Sequence, residues 1–138
     1  MILAKPVQAQ PLLAVRDVRA ATRWYATLLA TERIPASSEH DHLYSRLYAG
    51  DTLVLQLHAW DEEDHPNLVG ADAAPHGHGV LVWFEVADFD AAVARARSLR
   101  PEILMEPFVN PAPRHRELWI RDPDGYVVVL ASPDGEAD

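Results

Sequence analysis

The chain has 138 residues, 12 of them Lys or Arg and 21 Asp or Glu, for a formal charge of −9, and it has no cysteine. That length fits one ordinary domain or two small modules sharing a core, and the lack of thiols excludes disulfides, thiolate metal sites and cysteine nucleophiles. The acidic balance argues against nucleic acid, whose phosphates require a basic face, and no apolar run is long enough to span a bilayer. The opening MILAKPVQAQ lacks the sustained apolar stretch of a signal peptide, so a cytoplasmic location is expected.

The first segment, PLLAVRDVRAATRWYATLLATERI, begins as an apolar strand and changes period after Asp17. Val18, Ala21, Tyr25 and Leu28 then recur at helical spacing, with Asp17 as the natural N-cap and Trp24-Tyr25 as a core aromatic pair. RLYAGDTLVLQLHA, Arg46 to Ala59, reads as strand, turn, strand. The stretch from about 61 to 79, rich in acid, Pro, Gly and His, reads as a mobile linker.

The pattern then starts again. VLVWFEV is a strand, Asp88 a cap, and Phe89, Ala92, Val93, Ala96 and Leu99 form a helical stripe. ELWIRDPDGYVVVLAS, Glu117 to Ser132, is a second strand-turn-strand, and SPDGEAD reads as a frayed tail. Val15-Arg16-Asp17-Val18 matches Val86-Ala87-Asp88-Phe89, and Ala20-Ala21 matches Ala91-Ala92. The expected fold is therefore α+β: two tandem βαβββ modules forming one domain with a cupped mixed sheet. Module one spans about 7–60, the linker about 61–79 and module two about 80–132.

PLLAVRDVRAATRWYATLL, VLVWFEVADFDAAVARA and above all RELWIRDPDGYVVVL resemble the vicinal oxygen chelate superfamily, which includes glyoxalase I, extradiol dioxygenases, fosfomycin-modifying enzymes and bleomycin-resistance proteins. The resemblance implies a homodimer and, in metal-dependent members, a divalent ion held at four strand positions. Here those positions carry Gln10, Gln56, Leu81 and Val129. Two neutral amides opposite two apolar side chains offer a hard cation too little charge and too few donors, so no metal and no other cofactor is expected. An earlier start to the second module's first strand would instead bring in His78 from His76-Gly77-His78. His40-Asp41-His42 is a second His-x-His, read as solvated.

Strand alternation places Gln10, Leu12, Ala14, Val54, Gln56, His58 and Trp60 of module one on the cup face, with Leu81, Trp83, Glu85, Val127 and Val129 of module two. Trp119 and Arg121 reach the cup or its rim, although Arg121 has Asp122 and Glu117 as candidate surface partners. An apolar, aromatic-lined cavity with few polar groups is built for a small molecule, and Glu85 near Trp83 suits a cationic aromatic one. No catalytic set stands out, and Ser37-Ser38 has no evident base. The expectation is a small-molecule binding protein of bleomycin-resistance character. The alternatives are a metal-dependent lyase, isomerase or dioxygenase and a metal-free isomerase with His58 as base.

Overall fold

A computed structural model of the chain describes residues 8–34, 42–61, 67–71, 76–112 and 114–138. Ser37-Ser38, His40-Asp41 and most of the acidic run after Asp61 lie outside these residues. The element order is β1 (Leu12–Val15), α1 (Val18–Leu29), β2 (Glu32–Ile34), β3 (Tyr44–Ala49), β4 (Thr52–Ala59), β5 (Val82–Glu85), α2 (Phe89–Ser98), β6 (Ile103–Asn110), β7 (His115–Arg121) and β8 (Val127–Ala131). It is two βαβββ passages, as the internal repeat requires. The chain divides into two compact units, Met1–Ala26 with Thr31–Val69 and Thr27–Ala30 with Gly70–Asp138. Among the described residues no helix is long and apolar enough to cross a membrane.

The first unit's sheet has the order β1-β4-β3-β2, with β1 parallel to β4 and Leu12 opposite Gln56. One side of β1, β3 and β4 is buried: Leu13 and Val15, Leu47, then Leu53, Leu55 and Leu57. Each fully buried leucine contributes roughly 2 kcal/mol. The alternate residues Val54, Gln56 and His58 are half-buried on the other face. Helix α1 starts where the Asp17 carboxylate accepts from the Ala20 amide at 2.9 Å, and it buries Val18, Ala21, Tyr25 and Leu28. Trp24 is only half-buried and meets the Tyr25 ring edge-on at 4.9 Å, so Tyr25 alone of that pair is core.

The second sheet repeats the order as β5-β8-β7-β6, with Trp83 opposite Val129 as Leu12 is opposite Gln56. Gln10 and Leu81 thus stand at equivalent places, each two residues before the paired position and just ahead of its strand. One face of this sheet carries Val82, Leu118, Ile120, Val128 and Leu130, all buried, and α2 lies against β8 with Phe89, Ala92 and Ala96 inward. Asp88 caps α2 by accepting from the Ala91 amide at 3.1 Å. β6 is an edge strand, which is where Pro107, lacking an amide hydrogen, is tolerated.

The β7–β8 turn is set by Asp122. Its buried Oδ1 accepts from the amides of Asp124 and Tyr126, both at 2.9 Å, while Gly125, at φ +94°, donates to the Asp122 carbonyl. The linker reading needs a correction at this point. His76 stacks on the Tyr126 ring with Nδ1 donating to the Asp124 carbonyl at 3.2 Å, so residues 76–79 are clasped to the turn rather than free. The tail is not frayed either. Ala137 donates to the Arg114 carbonyl, Arg114 pairs with Asp138 at 2.8 Å, and Arg116 is held by Glu136 and Asp90 over the Phe89 ring.

Gly77 allows that clasp. A Cβ there would lie 2.6 Å from Tyr126 Cδ1, and the residue sits at φ +69°. Gly77→Ala is expected to destabilise the fold by about 2 kcal/mol and lower Tm by roughly 5 °C, measured by thermal denaturation. An unchanged Tm would mean that the loop does not pack on Tyr126.

Candidate ligand-binding site

On the open face of the first unit, Gln56 is the centre of a polar chain. Tyr44 donates its hydroxyl hydrogen to Gln56 Oε1, Gln56 Nε2 donates to the Gln10 carbonyl at 3.0 Å, and Arg46 Nε donates to the Tyr44 oxygen at 2.6 Å. Gln10 therefore takes part through its backbone, and its exposed side chain has no role in the chain. Leu12 is 38% exposed. His58 lies beside the Tyr44 ring, centroids 6.0 Å apart, and its Nδ1 is 2.7 Å from the Ala59 carbonyl, which fixes the proton on Nδ1. Trp60, just past β4, is half-buried.

The open face of the second unit is ordered by register into three rungs. Arg121 is opposite Val127, and Leu81 continues that rung. Trp119 is opposite Val129, which is opposite Trp83. Glu117 is opposite Ala131, which is opposite Glu85. Partners in register share a face, so seven of the residues expected at a cup do lie together here: Leu81, Trp83, Glu85, Trp119, Arg121, Val127 and Val129. They differ in access. Trp83 is 46% exposed, while Val129 has no exposed surface and supports the face from beneath. It is therefore a core residue and not a contact for a ligand.

Glu117 is the residue that sequence reasoning misplaced. Treated as a surface partner for Arg121, it is instead 2% exposed, and three donors surround its carboxylate. Trp119 Nε1 donates to Oε1 at 2.8 Å, and Asn110 Nδ2 and His115 Nε2 donate to Oε2 at 3.0 and 2.6 Å. Burial would push this carboxyl up, but the bonds from Trp119, Asn110 and His115 outweigh it and hold the group below the usual glutamate range. His115 in turn stands edge-on to Trp83, ring centroids 6.0 Å apart. Among the described residues its other ring nitrogen, Nδ1, has no hydrogen-bond partner, and an Asp134 carboxylate oxygen is 3.6 Å away. The signal was present in His115-Glu117-Trp119-Arg121, four residues at period two on a strand whose last two members were already assigned to this face.

Arg121 pairs with neither Asp122 nor Glu117. Its Nε faces Glu102 at 3.3 Å and its Nη1 donates to the Gly125 carbonyl at 3.0 Å. It lines a cleft of about 390 Å³ with His76, His78, Val80, Leu81 and Val127. His76 and Gly77, which also line the cleft, rest against Tyr126, whose hydroxyl is pushed up to about 12 by burial and by the charges of Asp122 and Asp124.

The four positions at which the resemblance implies metal ligands do not fit a divalent ion. Gln56 already uses both ends of its amide, Gln10 offers a neutral amide, and Leu81 and Val129 have no donor atom. Among the described residues no three His, Asp or Glu side chains gather as a metal site.

The comparisons agree on the fold. The family model described as Glyoxalase/Bleomycin resistance protein/Dioxygenase superfamily matches residues 7–130. A glyoxalase/bleomycin resistance protein/dioxygenase family enzyme from Burkholderia phytofirmans superposes with a TM-score of 0.71 at 16% identity, over 89% of this chain and 95% of that one. A lactoylglutathione lyase from Agrobacterium tumefaciens gives 0.66 at 19%, over 97% and 100%, and the fosfomycin resistance protein FosX from Mesorhizobium loti 0.60 at 15%, over 94% and 93%. A search of curated proteins gave no match.

Replacing Glu117 by Ala leaves one buried and two part-buried donors without their acceptor and is expected to destabilise the protein by on the order of 3 kcal/mol. Because the folded-state value is lowered, Glu117 contributes stability above the ordinary glutamate range, near 4, and that contribution is lost as pH falls through the folded value. Denaturant titrations from pH 7 downward should show an acid-side loss that is shallower in Glu117→Gln. Equal slopes would show that the carboxylate is not ionised in the fold.

Proposed function

Because the chain belongs to the Glyoxalase/Bleomycin resistance protein/Dioxygenase superfamily, we propose that it uses this fold to bind a small cationic aromatic molecule without a metal ion, for sequestration or resistance. The observation that carries the reading is Trp83. An indole 46% exposed in the middle rung of a sheet face forgoes much of the stabilisation that burying its area would bring. A planar ligand laid on it recovers that area. Glu85, exposed and two residues along the same face, supplies the charge that attracts a cation, and the ring face adds a cation–π contribution. Glu117 fixes the indole of Trp119 and the imidazole against Trp83, so that the surface is formed before the ligand arrives. The apolar exposure of Leu104, Met105 and Val109 on β6 supports a homodimer.

A metal-free isomerase is the second reading, favoured by one feature. With His58 Nδ1 turned to the Ala59 carbonyl at 2.7 Å, Nε2 is the nitrogen that a general base would use.

Calorimetric titration with N-methylquinolinium and with neutral quinoline separates these readings. The cation should bind at least tenfold more tightly, and Trp83→Ala or Glu85→Gln should each weaken it about tenfold, or about 1.4 kcal/mol, while His58→Ala leaves it unchanged. No saturable binding of either compound, or a loss confined to the His58 variant, would contradict the binding reading.

A further inference from the structure

The three rungs of the second unit carry charge in order. On β7 the open-face residues run Glu117, Trp119, Arg121, and on β5 they run Leu81, Trp83, Glu85 in the opposite chemical sense but the same spatial one, because β7 is antiparallel and β5 parallel to β8 between them. One end of the face is therefore basic, its middle aromatic and its other end acidic. Residues two apart on a strand are separated by about 6.6 Å, so the basic and acidic rungs lie roughly 13 Å apart. The basic end borders the cleft of about 390 Å³, which His78, Leu81 and Val127 line together with Arg121. At the acidic end Glu85 is exposed, and the buried Glu117 carboxylate adds its charge from beneath.

The acids near Arg121 leave it able to meet a ligand. The Asp122 carboxylate is turned into its own turn, where Oδ1 accepts two backbone amides. Glu102 faces Arg121 across 3.3 Å, but the two side chains are 65% and 38% exposed, and a solvated pair of this kind is readily exchanged for a better-placed anion. A guanidinium presents its donors in a planar fork that suits a carboxylate or phosphate oxygen pair.

We propose that this face takes an elongated dipolar ligand lying diagonally across it, with an anionic group at Arg121 and His78, a planar body on Trp83 and a cationic group at Glu85. This assignment rests on the cationic aromatic reading and adds the second charge and the direction in which the molecule lies.

The test is calorimetric titration of the full chain with 4′-(aminomethyl)biphenyl-4-carboxylate, its methyl ester, which keeps only the cation, and its N-acetyl derivative, which keeps only the anion. The zwitterion should bind at least tenfold more tightly than either. Arg121→Met should abolish its advantage over the ester, Glu85→Gln its advantage over the acetylated compound, and Glu102→Gln should tighten it severalfold by removing the competing carboxylate. Since Arg121 also holds the Gly125 carbonyl, His78→Ala serves as the milder variant, expected to weaken the zwitterion and not the ester. An ester that binds as tightly as the zwitterion overturns the dipolar assignment and leaves the cationic reading standing. An acetylated compound that does so, or no binding by any of the three, overturns both.

Discussion

The Asp122 carboxylate at the β7–β8 turn is the constraint on which the rest of the second unit depends. By accepting two amides it closes the turn at one length, and that length fixes Trp119 opposite Val129. Side chains alternate with a period of two, so a slip of one residue would send Glu117, Trp119 and Arg121 to the helix side and bring Leu118 and Ile120 into their place. The same turn carries Tyr126, on which the His76-Gly77 segment rests, so it also shapes one wall of the cleft. The turn thus governs where Glu117, Trp119 and Arg121 stand.

The open face of the second unit divides its polar residues into two kinds. The Glu117 carboxylate is held by His115, Asn110 and Trp119, and a buried carboxylate with three donors is rigid and strongly position-specific. Trp83, Glu85 and Arg121 reach solvent and are the groups a ligand can meet. The first unit has a counterpart in Tyr44, Gln56 and Arg46, which stand on β3 and β4 as Glu117, Val129 and Trp119 stand on β7 and β8. The two modules thus keep one backbone pattern and fill equivalent places with different chemistry.

Much of this was legible in the sequence. The matching Val15–Val18 and Val86–Phe89 stretches gave both modules, and the equivalence of Gln10 with Leu81 and of Gln56 with Val129 follows the same offset in the sheets. Strand alternation placed Trp83, Glu85, Trp119 and Arg121 on one face. What it could not give was burial: Val129 and Ala131 are covered although they share the face with exposed Trp83. Composition misled at two places. The Gly- and His-rich segment before β5 looks mobile because its anchor, Tyr126, lies about fifty residues away, and the polar tail looks frayed because Arg114 and Arg116 reach it only through the fold.

The four strand positions offer a divalent ion no adequate donor set, since Gln56 is already bonded at both ends and Leu81 and Val129 have no donor. The most direct measurement is elemental analysis of untagged protein purified without chelator, before and after incubation with nickel, iron and manganese. The account predicts well under a tenth of an equivalent of any of them per chain after desalting. One equivalent retained per chain would contradict it and would move the chain's chemistry to the metal-dependent branch of the superfamily, with histidines supplying the missing ligands.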